Sequence, residues 1–82
     1  MNIMEMGILF AQFSVVPNLQ REAFLGDHPE IVNVDMIDWA ITAARLREPE
    51  DKKRIANAAL YLATKLRDKR RQTRLRQILA EV

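Results

Sequence analysis

In 82 residues the chain has no cysteine, two glycines, three prolines, one histidine and one serine. Each shortage excludes something. Without cysteine there is no disulfide framework, no thiolate nucleophile and no cysteine-based zinc site. The one histidine, His28, has Asp27, Glu30, Asp35 and Asp38 nearby in the chain, but with no second histidine and no ligand spacing a metal site is not expected. Ser14 has no histidine and acid placed beside it by any motif, and there is no glycine-rich phosphate loop. The chain is therefore not read as an enzyme, and neither a cofactor nor a small-molecule substrate is expected.

Long hydrophobic runs are also missing. Residues 1–16 are strongly apolar but too few to cross a bilayer, and they hold no Lys or Arg for an interfacial anchor. Glu5 interrupts them, no basic residue precedes them and no small-residue cleavage site comes after, so neither a secretory signal nor a membrane partner is expected. A cytoplasmic location is the default expectation for a chain without cysteine.

What is present is helix-forming. Hydrophobic residues make up 49% of the chain, and so few breakers mark a compact helical protein that folds. At 82 residues it is one domain, near the size where a single core barely suffices, which makes self-association reasonable. The charge is divided. Residues 1–44 carry six acids against Arg21, net −5, while residues 45–82 carry twelve Lys and Arg against five acids, net +7. The halves can neutralise each other within the fold, pair between copies, or leave the basic half for an external polyanion.

In the first segment, Ile3, Met6, Leu9, Phe10 and Phe13 make a helical face, although Ile8 to Val16 also alternates as a strand would. Helix is preferred, because a lone strand would need a second copy to pair with. After a turn at Val16-Pro17-Asn18, Leu19 to Leu25 is read as a short helix ended by Gly26. Asp27, spaced from Glu30 as in a capping box, or Asn33 then caps the next element. From Val34 to Arg47, Met36, Ile37, Ala40, Ile41 and Ala44 share one face and Trp39, Ala43 and Leu46 form a second. Such a helix sits in the middle of a structure.

Pro49, with Glu50 and Asp51 behind it, marks a helix start near Glu48. Ile55, Ala58, Ala59, Leu62 and Leu66 then fall on one stripe. Beyond it, Leu75, Ile78, Leu79 and Val82 point to the opposite side of the same ideal helix, so the direction changes near residues 68–73. Either the helix breaks there, with Asp68 capping a new turn, or a rod of about 50 Å runs on and needs a partner. The break is the preferred form, though no Gly or Pro enforces it. On a continuous helix Arg67, Arg70, Arg71 and Arg74 would line one side over about 10 Å, a candidate site for an anion or a partner.

The fold expected is thus an all-α single domain over residues 1–82, with four or five helices and a long basic C-terminal helix, bent or broken near 68–73. The Asp35–Arg47 and Ile55 helices form its centre. The function expected is that of a small intracellular adaptor or regulator working through protein contacts, as a homo-oligomer, with Trp39, Leu46, Leu75, Ile78, Leu79 and Val82 as candidate interface residues. The alternative is a nucleic-acid-binding accessory protein using the arginine row. Against it, no aromatic residue interleaves the basic run to stack on bases, and no Gly-marked turn suggests a helix-turn-helix.

Overall fold

The structure, a computed structural model, describes residues 2–82. Among these are five α-helices and no strand: α1 (Ile3–Ser14), α2 (Arg21–Asp27), α3 (Val34–Arg45), α4 (Pro49–Lys65) and α5 (Lys69–Ala80), with single 3₁₀ turns at Asn18–Gln20 and Pro29–Ile31. The all-α reading holds, and residues 3–14 are helix rather than strand.

Local signals set most of the helix starts. Asn2 caps α1 by accepting from the Glu5 N–H, and Asn33 caps α3 by accepting from the Met36 N–H at 2.8 Å. Pro49 opens α4 behind Glu48, as its preset φ favours. Asn33 does more than cap: its Nδ2 donates to the Met6 sulfur at 3.3 Å, which ties the start of α3 to α1. Asp27 does not cap; it is the last residue of α2, and the turn after it begins at His28 without a side-chain cap. Gly26 does not end α2 in a left-handed conformation either, since no glycine among the described residues has positive φ.

The central element is α4. Its buried residues are Ile55, Ala56, Ala58, Ala59, Leu62 and Ala63, and the four alanines let neighbouring helices approach closely. Helices α3 and α5 pack against it most extensively, and α1 lies across α3 and α4. From α3 the core takes Met36, Ile37, Ala40, Ile41 and Ala44, the face anticipated from spacing; from α1 it takes Phe10 and Phe13. Phe13 meets Phe24 of α2 and Tyr61 of α4 at centroid distances of 5.6 and 5.8 Å, so one aromatic cluster joins three helices.

The C-terminal stretch is two helices, not one long basic helix. Leu66 caps the end of α4, Arg67 comes next with φ 55°, and the Asp68 N–H donates to the Ala63 carbonyl at 2.9 Å while the Arg67 N–H donates to that of Thr64 at 3.1 Å. This pair of bonds is a Schellman ending in which arginine occupies the left-handed position that glycine usually takes. Asp68 then starts α5, its Oδ1 accepting from the Arg71 N–H at 3.1 Å. The chain folds back, and the longest extent of the molecule is 32 Å.

That reversal corrects part of the expected interface. Leu75 is fully buried and Ile78 nearly so, because the turn swings the displaced apolar face of α5 inward onto α4. Leu79 is half-buried against the same core. These three complete the fold from within. Helix α3 also stops at Arg45, two residues before the expected end, leaving Leu46 exposed in the link to α4. Val82 is exposed beyond α5.

Candidate functional site

The break also dissolves the arginine row. Arg67 sits in the turn, off the face that Arg70, Arg71 and Arg74 share on α5. These last three line a small polar cleft of about 240 Å³ with Asp38 and Thr42 of α3. Within it Arg71 is fully engaged. Its Nε and Nη2 donate to the two oxygens of Asp38 at 2.7 and 2.9 Å, and its Nη1 donates to Asp68 Oδ2 at 2.7 Å. The Arg71 hydrogen bonds hold the Asp38 carboxyl below its ordinary range, and the Arg71 backbone N–H, then its side chain, does the same for Asp68. With two carboxylates against three guanidinium groups, the cleft keeps an excess of about one positive charge.

This geometry fits a clasp between α3 and α5 better than a phosphate cradle, since the middle arginine's bidentate fork is already spent. Among the described residues it is also one of two ion pairs that join the oppositely charged halves of the chain. The other runs from Lys65 Nζ to Glu22 Oε1 at 2.6 Å, and Glu22 in addition accepts from the Tyr61 hydroxyl. Lys65 and then Tyr61 lower the Glu22 carboxyl, while Glu22 raises the Tyr61 phenol. His28 packs on Phe24 at 4.8 Å and lies 3.6 Å from Glu30, and among the described residues no three potential metal ligands gather.

The apolar surface left uncovered lies elsewhere. Ile3, Met4, Gly7, Ile8 and Ala11 of α1 line a shallow open groove with Trp39 of α3, about 470 Å³ in volume and without a charged residue in its lining. Met4 is 75% exposed, Ile8 58% and Trp39 39%. The indole is anchored from beneath: it meets the Phe10 ring edge-on at 6.3 Å and covers Gly7, where a β-carbon would stand 3.4 Å from Trp39 Cζ2. The groove is therefore held in shape by the core while its outer side faces solvent.

Of the interface residues expected, Trp39 belongs to this groove. Leu46 and Val82 are exposed outside its lining, and Leu75, Ile78 and Leu79 serve the core. The α1 contribution was missed. Spacing placed Ile3 on the buried face, yet it is about half exposed. The signal was present in the sequence, because α1 carries a single charge, Glu5, and is apolar around most of its circumference. No helix among the described residues is long and apolar enough to cross a membrane. Compared with known proteins, the chain matches no family model, no curated protein and no solved structure, so its site rests on its own geometry.

Proposed function

We propose that this chain is a small intracellular regulatory or adaptor protein that works by protein contact, and that the contact is made at the α1–Trp39 groove by a second copy of the chain. The observation that carries the reading is the charge-free exposed surface in which Met4 and Ile8 stand beside a core-anchored tryptophan. Contiguous apolar patches of this kind mark association sites, and tryptophan is the residue type that most often anchors them.

Self-pairing fits the relief of the surface. Gly7, under the Trp39 indole, and Ala11, one helical turn on, form the low part of the groove, while Met4 and Ile8 stand up beside them on the same helix. Turned about a two-fold axis, the Met4–Ile8 ridge of each copy lies over Ala11 and the exposed side of the Trp39 indole of the other, the self-complementarity that an isologous dimer requires. Glu5, the one charge of α1, is outside the groove lining, so the pairing buries no like charges.

Light scattering over a concentration series tests this. The mass should rise toward two chains, with little dependence on salt, and Ile8→Glu with Met4→Asp should hold the protein at single-chain mass with its helical circular dichroism intact. A wild-type chain that keeps single-chain mass at every concentration removes the reading. A second reading draws on Arg70 and Arg74, which make no ion pair with an acid among the described residues. It expects binding to duplex DNA or RNA that weakens steeply with salt and is abolished by Arg70→Glu with Arg74→Glu.

A further inference from the structure

Arg21 opens α2 and is placed unlike any other cation among the described residues. Its guanidinium carbon lies 5.1 Å from the centre of the Phe13 ring and 5.3 Å from that of Tyr61. Aromatic faces attract a cation but offer no lone pair to its N–H groups. The Nε of Arg21 is buried and has no hydrogen-bond partner. The adjacent acid in sequence, Glu22, does not supply one, because its carboxylate is taken by the Tyr61 hydroxyl and by Lys65. A positively charged group is thus fixed by two rings at the edge of the core with no counter-ion, and an unmet donor of this kind in a folded protein calls for an explanation.

Arg21 lines an open cleft of about 670 Å³ between the Asn18 turn and the outer side of α4. The lining holds Arg21 and Lys65 and no acid, and the Lys65 ammonium is partly neutralised by Glu22, 2.6 Å away outside the lining. Asn18 and Asn57 add two carboxamides, neither of which makes a side-chain hydrogen bond among the described residues, and Leu60 and Tyr61 provide an apolar wall. The size falls in the range of small-molecule sites, and an apolar wall with a few convergent polar groups is their usual chemistry. The cleft is lined by none of the residues of the α1–Trp39 groove.

We propose that this cleft binds a small organic oxyanion, a carboxylate or phosphate ester on a flat apolar body. The anionic end sits at Arg21, with Lys65 lending an N–H that Glu22 leaves free, the carboxamides of Asn18 and Asn57 hydrogen-bond its oxygens, and the body lies along Leu60 and the Tyr61 ring. The counter-charge that the fold withholds from Arg21 is then supplied by the ligand. This assigns the chain a ligand where the lack of sequence motifs suggested none.

Two-dimensional NMR of the full chain, titrated with phenyl phosphate, benzoate and the neutral benzyl alcohol, tests the proposal. One or both anions should shift the side-chain amide signals of Asn18 and Asn57 in a saturable way, with benzyl alcohol at least tenfold weaker. Which anion binds more tightly distinguishes the phosphate ester from the carboxylate. Arg21→Gln should weaken the anion at least tenfold. Because Arg21 also packs on two rings, Asn57→Leu with Lys65→Gln serves as a second variant that leaves those ring contacts in place, with a similar loss expected. Absence of saturable shifts from both anions at millimolar concentration, equal binding of benzyl alcohol, or undiminished binding by the second variant would overturn it.

Discussion

Helices α1 and α5 each carry apolar residues whose burial depends on what the chain places beside them, and they end differently. In α5, Leu75 and Ile78 are inside; in α1, Met4 and Ile8 are outside. The difference lies in what the chain does next to each. At the α4–α5 junction the left-handed Arg67 and the Asp68 cap turn the chain back within three residues, so α5 meets α4 and its remaining polar side is clasped by Asp38. Helix α1 docks through Phe10 and Phe13 onto α3 and α4, and among the described residues its far side stays exposed at Met4 and Ile8. An apolar face is buried by topology, not by composition, and the face left out is the one available to another molecule.

The contrast is broken most sharply by charge placed on each face. Leu75→Asp should abolish the cooperative thermal transition, because removing a buried leucine costs about 2–5 kcal/mol even as Leu→Ala, against a total stability of roughly 4–12 kcal/mol for a chain of this length. Met4→Asp should leave the melting temperature of the monomer within a few degrees. If both variants unfold, or neither does, the distinction between the two faces is wrong.

A smaller effect is expected where α1 is tied down. Asn33→Ala removes the α3 cap and the contact to the Met6 sulfur, and denaturant unfolding should record a loss of about 1 kcal/mol, the usual worth of an N-cap. No loss would mean that water replaces the asparagine at both places. On the α5 side, Arg67→Gly should raise stability by about 0.5–1 kcal/mol, since glycine accepts φ 55° without the crowding of a β-carbon. A fall in melting temperature would show that the arginine side chain holds the turn.

The smallest expected effect is on acid stability. Asp38 and Asp68 stay ionised in the folded chain at pH values where the unfolded chain has begun to take up protons. Their contribution is therefore complete above the ordinary aspartate value of about 4 and is lost as pH falls through their lower native values. Arg71→Gln should flatten the acid limb of stability against pH, leaving the part due to Glu22. An unchanged limb would mean that the clasp is screened by solvent.

Much of this fold was legible from spacing. The five-residue buried face of α3, the Pro49 start and the Asp68 restart all come from local rules, because caps and helical periodicity act over a few residues. The turn at Arg67 was harder, since glycine usually marks such a position; here Gly26 lies within α2 while an arginine takes the left-handed conformation. The candidate sites were less legible. The arginine row presumed a continuous helix, and Arg71 finds Asp38 thirty-three residues away, a pairing that no local pattern encodes. The groove at Trp39 and the cleft at Arg21 likewise join residues from separate helices.

Trp39 is the only tryptophan and lies in the groove, so its fluorescence reports directly on whether a second copy covers α1. At high concentration the wild-type emission should lie to the blue of the Ile8→Glu variant, and the two should converge on dilution. Identical emission from both chains at every concentration would contradict the account.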